Sequence, residues 1–153
     1  MIIARWNISR YNTFVTTNIL ISDHPEEQIS KLLSLIGQPA RIQILFIIGA
    51  QEACVCHLEA VLGMRQASIS QHLMVLRKAG LVTTHRDGRN IFYRLAHPEV
   101  VDVLRQAAQL TGSSLDALNA LTLRPVQNCP CPQCNPGVDP NLTCQSIHTG
   151  AKQ

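Results

Sequence analysis

The feature that most constrains the fold of this chain is a pair of short helices separated by a glycine and followed by two strands. Gly63 ends the first helix, and Gly80 ends the second, which is predicted over 66–79. The second helix carries one apolar stripe at helical spacing: Ile69, Leu73 and Leu76. The Asp87-Gly88 dipeptide favours a tight turn between the two strands. This order predicts a winged helix-turn-helix.

The remainder of the chain predicts a mainly α domain with a small β-hairpin. Hydrophobic residues make up 46% of the 153 residues and aromatic residues only 4%, so the core is built from aliphatic side chains. We expect about five helices plus a two-stranded wing over 81–86 and 90–95, in one domain over 23–122. Residues 1–22 form an N-terminal arm. Residues 123–153 form a tail that holds five of the eight prolines and four of the six cysteines.

Basic residues are concentrated around the second helix and the wing. Residues 65–94 contain six Lys or Arg and one Asp, a balance of +5, whereas the whole chain carries +3. Such a segment is typical of phosphate binding, although a solvated face is the alternative. Short and amide side chains on the helix can approach base edges, and wing arginines suit the DNA backbone. The predicted DNA-binding residues are Gln66, Ser68, Ser70, Gln71, His72, Arg86 and Arg89.

Several functional classes are not expected for this sequence. No apolar run approaches the ~18–20 residues of a membrane span, and the first residues lack the order of a signal peptide. We therefore expect a cytoplasmic protein with no membrane partner. In that reducing compartment, the six cysteines are more typical of metal or redox ligands than of disulfides. No nucleophile–base motif and no general base beside a metal-ligand spacing is present, so the chain is not expected to be an enzyme.

Cys54 and Cys56 are two thiols within three residues, a spacing suited to a soft metal ion. On an ideal helix, however, residues i and i+2 point roughly 200° apart. The two cysteines can therefore share an ion only if the helix starts between them or its first turn unwinds. Binding would then distort the segment that leads into helix 66–79, which would couple the ligand to DNA affinity. The alternative is a pair of buried structural cysteines.

The tail offers further soft ligands. Cys129, Cys131 and Cys134 lie in the run CPCPQC, which the prolines stiffen, and Cys144 lies farther along. The linker 123–128 spans up to ~20 Å at about 3.3 Å per residue. It can bring Cys129, Cys131 or Cys134 to the third helix of the same or the partner subunit, and Cys129 and Cys131 are favoured over Cys144. The alternative is a disordered tail with incidental cysteines. His57 is a weaker candidate, as a nitrogen ligand.

Several ordered segments resemble the ArsR/SmtB family of metal-responsive repressors. EACVCHLEAVLG at 52–63 resembles the sensor segment, and QASISQHLMVLRKAGLV at 66–82 resembles the recognition helix. RDGRNIFYRL at 86–95 resembles the wing, and LIGQPARIQIL at 35–45 is similar to the second helix. The resemblance covers roughly residues 25–121. It implies a homodimer, with the first and last helices at its interface, that leaves its operator DNA when metal binds.

Two residues depart from the family pattern. His57 stands where the family often has an acidic residue, and Arg65 stands where a Ser or Thr often caps the recognition helix. Residues 1–22 and the Pro/Cys-rich tail lie outside the resemblance, so the resemblance implies nothing about their function.

The primary hypothesis is a dimeric repressor of double-stranded operator DNA that is released when As(III) or Sb(III) binds cysteine thiolates. Arsenite and antimonite favour three thiolates, and the predicted metal ligands are Cys54, Cys56, Cys129, Cys131 and Cys134. One alternative keeps the fold and changes the inducer to Cd(II), Pb(II) or Zn(II), which accept thiolates or mixed Cys/His sets. Another is a thiol redox sensor in which Cys54 or Cys56 pairs with a tail cysteine.

Overall fold

The computed structural model describes residues 24–139. Within that range the chain forms a mainly α domain around a small antiparallel sheet of order β1-β3-β2. The elements are α1 (Pro25–Ile36), α2 (Pro39–Ala50), β1 (Ala53–Cys54), α3 (Val55–Leu62), α4 (Gln66–Lys78), β2 (Val82–Asp87), β3 (Asn90–Leu95), α5 (Glu99–Thr111) and α6 (Asp116–Ala120). The predicted winged helix-turn-helix is confirmed. The arm 1–22 and Cys144 lie outside the described residues.

The element count differs from the prediction in two places. Six helices are described rather than about five, because the last predicted helix splits at Gly112, whose φ of 65° is left-handed and ends α5. The sheet has three strands rather than two, because Ala53 and Cys54 pair with Tyr93 and Phe92 of β3. A strand of only two residues has no alternation of polar and apolar side chains by which a sequence pattern could identify it.

The core is centred on α2, whose buried residues are Ile44, Leu45, Phe46, Ile47 and Ile48. The predicted stripe of α4 packs into the same core, with Ile69, Leu73 and Leu76 all buried. Each such aliphatic side chain contributes about 1.5–3 kcal/mol on burial. The position and orientation of α4 are thereby determined by the core.

The wing consists of β2 and β3, paired from Val82↔Leu95 to Asp87↔Asn90. The turn between them is therefore Gly88-Arg89, one residue later than the predicted Asp87-Gly88. Gly88 has a φ of 56°, which a glycine adopts without the strain of a Cβ. Arg89 is exposed at the tip of the wing.

The turn between α3 and α4 begins at Gly63, which has a φ of 62° and donates its N–H to the carbonyl oxygen of Glu59 at 2.9 Å. Arg65, which stands where the family pattern often has a capping Ser or Thr, is extended and its side chain does not cap α4. Among residues 24–139, no single helix is long and apolar enough to cross a membrane. The pair α1 and α2 passes that test together by length and composition only, and it is bent by 89°.

Candidate metal centre and nucleic-acid interface

Helix α3 begins at Val55, between Cys54 and Cys56. Cys54 is extended, with φ −85° and ψ 166°, so its side chain does not follow the helical direction of Cys56. The two Sγ atoms lie 2.8 Å apart, and both side chains are buried. The geometric conflict anticipated from the i, i+2 spacing is therefore resolved by the start of the helix.

The tail packs against α3 of the same chain. His57 Nδ1 lies 3.5 Å from Cys129 Sγ, 3.9 Å from Cys131 Sγ and 3.4 Å from Cys134 Sγ. All four side chains are buried, and their ligand atoms lie within 4.8 Å of one another. Together with Cys54, Cys56 and Phe92 they form a second buried cluster, apart from the main core. We call the five cysteines and His57 the thiol cluster.

Hydrogen bonds among the sulfurs shift the pKa values of the cysteine thiols in opposite directions. The pKa of Cys131 is lowered because Cys129 and Cys54 donate hydrogen bonds to its sulfur. The pKa values of Cys129 and Cys54 are raised, first by this hydrogen bonding to Cys131 and then by burial. Cys131 is thus the sulfur that contacts both Cys129 of the tail and Cys54 of the Cys54–Cys56 pair.

Four of the clustered cysteines, Cys54, Cys129, Cys131 and Cys134, are free thiols. Soft ions bind cysteine as the thiolate, so any metal or metalloid titration is made on the reduced protein with a thiol-free reductant.

Polar side chains fasten the tail beside the cluster. Arg124 donates to the carbonyl oxygen of Glu52 at 2.6 Å and also contacts the side-chain oxygen of Gln133. Gln133 in turn donates to the Glu52 carboxylate at 3.0 Å. The other carboxylate oxygen of Glu52 lies 3.4 Å from His85 Nδ1 on β2. These contacts connect the tail with the wing through Glu52.

The predicted DNA-binding residues lie on α4 and the wing. Gln66, Ser70, Gln71, Arg86 and Arg89 are exposed, whereas Ser68 and His72 are half-buried. Burial lowers the pKa of His72, and the positive charge of Arg41 lowers it further.

The sequence analysis gave His57 only as a weaker candidate ligand, and it did not single out Glu52, Arg124 or Gln133. For His57 a signal existed, because it lies four residues before Val61 on α3 and so faces the interior. For the three polar residues no local signal existed, since the contacts of Arg124 and Gln133 with Glu52 join residues 72 and 81 apart in the sequence.

Comparison with known proteins places this fold in a family. Residues 38–84 match the family model described as bacterial regulatory protein, arsR family. The chain is 38% identical over 101 residues to the biofilm growth-associated repressor of Agrobacterium fabrum, covering 66% of this chain and 77% of that one. It is 33% identical over 82 residues to a transcriptional repressor SmtB homolog of Synechocystis sp.. That match covers 54% of this chain and 62% of the Synechocystis protein, less than two thirds of its length.

Solved structures show the same fold. The transcriptional repressor BigR from Xylella fastidiosa aligns with a TM-score of 0.52 at 29% identity, covering 56% of this chain and 87% of that chain. NolR from Sinorhizobium fredii aligns with a TM-score of 0.51 at 30% identity, covering 60% and 96%. The matched family model, the winged fold and the identity to the Agrobacterium repressor show that this chain belongs to the ArsR/SmtB family, whose members are transcription regulators rather than enzymes.

Proposed function

We propose that this protein is a repressor that binds operator DNA as a dimer in the cytoplasm and leaves it when As(III) or Sb(III) binds its thiolates. The observation that carries the proposal is the 2.8 Å approach of Cys54 and Cys56, with Cys131 hydrogen-bonded to Cys54. Trivalent arsenic and antimony form bonds to three sulfurs. The sulfurs of Cys54, Cys56 and Cys131 are soft ligands that are buried and close together. Cys131 is the tail thiol favoured as the third ligand.

The placement of the two cysteines supports a coupling of inducer to DNA. Cys54 lies in β1 and pairs with Phe92 of β3, so it is joined to the wing. Cys56 lies in the first turn of α3, which is joined to α4 through the turn at Gly63. A ligand bound to both sulfurs must separate them from their 2.8 Å contact, and this changes the position of β1 relative to α3. The wing and α4 then no longer match the spacing of the grooves and backbone of the operator DNA.

The exposed residues of α4 and the wing support the DNA-binding part of the proposal. Gln71 and Ser70 can reach base edges, whereas Arg86 and Arg89 are placed to contact phosphates. Exposed apolar side chains support a dimer through α1 and α5. They are Ile29, Leu33, Val103 and Leu110, and Leu110 is 90% exposed.

The test is a binding titration of reduced full-length protein on the DNA upstream of its own gene, with random DNA as the control. As(III), Sb(III), Cd(II), Pb(II) and Zn(II) are added separately, and release is read by fluorescence anisotropy. We expect release at the lowest concentrations with As(III) or Sb(III). Release by a divalent ion alone would assign a different inducer, and equal affinity for random DNA would overturn the repressor proposal.

A second function is favoured by the contact of the Cys54 thiol with the Cys131 sulfur of the tail. In this alternative, oxidation of the thiol cluster rather than a metalloid releases the DNA. Titration of the metal-free protein with a thiol oxidant, followed by thiol counting, separates the two functions. Release that follows the loss of thiols with no metalloid present supports redox sensing. Retention of DNA by the oxidised protein excludes it.

A further inference from the structure

We infer that His57, Cys129, Cys131 and Cys134 form a closed tetrahedral site for a divalent ion of the zinc class, which fastens the tail to α3. This site differs from the proposed inducer site in three of its four donors. The inference of this site does not depend on the repressor proposal, because it is tested by ion binding and not by release of DNA.

The distances fit four-coordinate zinc. With Zn–S bonds of about 2.3 Å and Zn–N bonds of about 2.0–2.1 Å, a tetrahedral site separates the nitrogen from each sulfur by about 3.6 Å. The three distances from His57 Nδ1 to the sulfurs are 3.5, 3.9 and 3.4 Å. A ring nitrogen and three sulfurs therefore already surround a space of the size that one such ion requires.

The donor chemistry selects the class of ion. Zinc accepts mixed sets of three cysteines and one histidine, and its structural sites are closed, with four protein ligands. All four donors here are buried. A trivalent metalloid completes its coordination with three thiolates and does not require an imidazole ligand. Hard ions such as Mg²⁺ prefer oxygen ligands. The imidazole therefore marks this set as one for a divalent ion.

The backbone of the tail holds the sulfurs in this arrangement. Cys134 donates its backbone N–H to Cys131 Sγ at 3.3 Å. Asn135 donates its side-chain N–H to the carbonyl oxygens of Cys129 and Cys131, at 2.6 and 3.0 Å. Within the described residues, His57 Nε2 is buried without a hydrogen-bond partner. Coordination through Nδ1 requires the ring proton to be on Nε2, and packing in α3 then determines the orientation of the ring.

Cys131 belongs to both donor sets, because it also contacts Cys54. A substitution of Cys131 therefore affects both sites and cannot distinguish the divalent-ion site from the inducer site. The informative variants change donors that the two sets do not share. Cys129, Cys134 and His57 belong to the divalent site, whereas Cys54 and Cys56 belong to the inducer site.

The experiment is a titration of reduced, metal-free full-length protein with Co(II) alone, followed by displacement with Zn(II). Tetrahedral Co(II) absorbs strongly in the visible range, and thiolate ligation adds near-ultraviolet absorption in proportion to the number of sulfurs. We expect one ion per chain, a tetrahedral spectrum, and near-ultraviolet absorption from three thiolates. Cys129→Ser and Cys134→Ser should each weaken binding by more than about tenfold, whereas Cys54→Ser and Cys56→Ser should not.

His57 requires a second variant, because His57→Ala leaves a cavity and weakens folding. His57→Cys retains four soft donors, so it should still bind Co(II) and should show near-ultraviolet absorption from four thiolates. A wild-type spectrum of six-coordinate Co(II), or equal losses in the Cys54→Ser and Cys134→Ser variants, would overturn the proposal. Absorption from three thiolates in both the wild type and His57→Cys would also overturn it, because residue 57 would then not be a ligand.

The fastening of the tail is tested separately by limited proteolysis. Zn(II) should slow cleavage of the chain between Leu123 and Asp139 in the wild type and in Cys54→Ser. It should have no such effect in Cys134→Ser. Equal cleavage rates with and without Zn(II) in the wild type would show that the ion does not fasten the tail.

Discussion

Arg124 donates a 2.6 Å hydrogen bond to the backbone carbonyl oxygen of Glu52, which lies 72 residues earlier in the chain. The contact joins the tail, four residues after the end of α6, to the residue just before β1. Because β1 contains Cys54, this hydrogen bond holds the tail beside the Cys54–Cys56 pair independently of any contact between sulfurs. The guanidinium thereby brings together the two segments that carry the proposed ligands.

The first prediction follows from this contact. Arg124→Ala leaves the Glu52 carbonyl oxygen and the Gln133 side chain without their donor. We expect the free energy of unfolding to fall by roughly 1–2 kcal/mol, less than for a fully buried charged hydrogen bond because Arg124 is half-buried. Urea unfolding measures the free energy of unfolding of each variant. The control is Arg105→Ala, whose exposed 2.9 Å pair with Asp102 should contribute less than about 0.5 kcal/mol. Equal losses in the two variants would contradict the prediction.

The second prediction separates inducer response from DNA affinity. Cys54→Ser and Cys56→Ser remove a soft ligand but lie outside the basic segment 65–94, and serine is close to cysteine in size. We expect DNA affinity within a few-fold of the wild type and a loss of release by As(III). Anisotropy titrations with and without As(III) measure both quantities. If both variants instead lost DNA affinity, the cysteines would be structural and not ligands.

Helical spacing and turn residues made much of the fold predictable. The stripe of Ile69, Leu73 and Leu76 is buried, and the start of α3 between Cys54 and Cys56 is the arrangement that the i, i+2 spacing required. These features are local, so the chain's own periodicity specifies them. The turn of the wing is displaced by one residue, because strand pairing determines which two residues connect Asp87 and Asn90.

The site was less predictable than the fold. The sequence predicted that tail cysteines can reach the third helix, but it did not identify His57 as the group that they surround. The contacts that dock the tail, such as Gln133 on Glu52, join residues 81 apart. Their formation depends on tertiary packing, which no window of sequence contains.

The third prediction concerns the wing. Arg89 is exposed in the turn between β2 and β3, where a long cation can contact phosphate. Arg89→Ala should weaken binding to all DNA sequences and reduce the slope of log affinity against log salt by about one unit. Gln71→Ala should instead reduce the preference for the protein's own upstream DNA with little change in slope. Titrations at several salt concentrations measure both effects, and an unchanged slope in Arg89→Ala would contradict a phosphate contact.

The fourth prediction concerns the close approach of α2 and α5. A Cβ at Gly49 would lie 2.7 Å from Val101 Cγ2 and 3.1 Å from Leu95 Cδ1. Gly49→Ala gains up to about 1 kcal/mol of helix propensity, but overpacking costs about 1–3 kcal/mol. We expect a net loss of stability on thermal unfolding. The double variant Gly49→Ala/Val101→Ala should lose less than the sum of the two single variants, because the second change removes the clash. Strict additivity would contradict the packing argument.

The last prediction concerns pH and the recognition helix. Burial lowers the pKa of His72 below its ordinary value of 6.5, and the charge of Arg41 lowers it further. Arg41 is held in place by a 2.6 Å hydrogen bond from its Nη1 to the carbonyl oxygen of Leu35. Below pH 6.5 the unfolded chain therefore binds more protons at this residue than the folded protein does. The stability from neutral His72 is present above pH 6.5 and is lost as the pH falls through the folded pKa.

His72→Gln removes this titration and should flatten the dependence of unfolding free energy on pH between 7.5 and 5. The matched control is His97→Gln, because His97 is exposed and lies two residues before α5. Urea unfolding at half-unit pH intervals measures the free energies for the three proteins. We expect the wild-type and His97→Gln curves to fall together below pH 6.5 and to converge on that of His72→Gln. Parallel curves for all three proteins would show that His72 contributes nothing to acid sensitivity, since its protonation would then be equally favourable in the folded and unfolded chains.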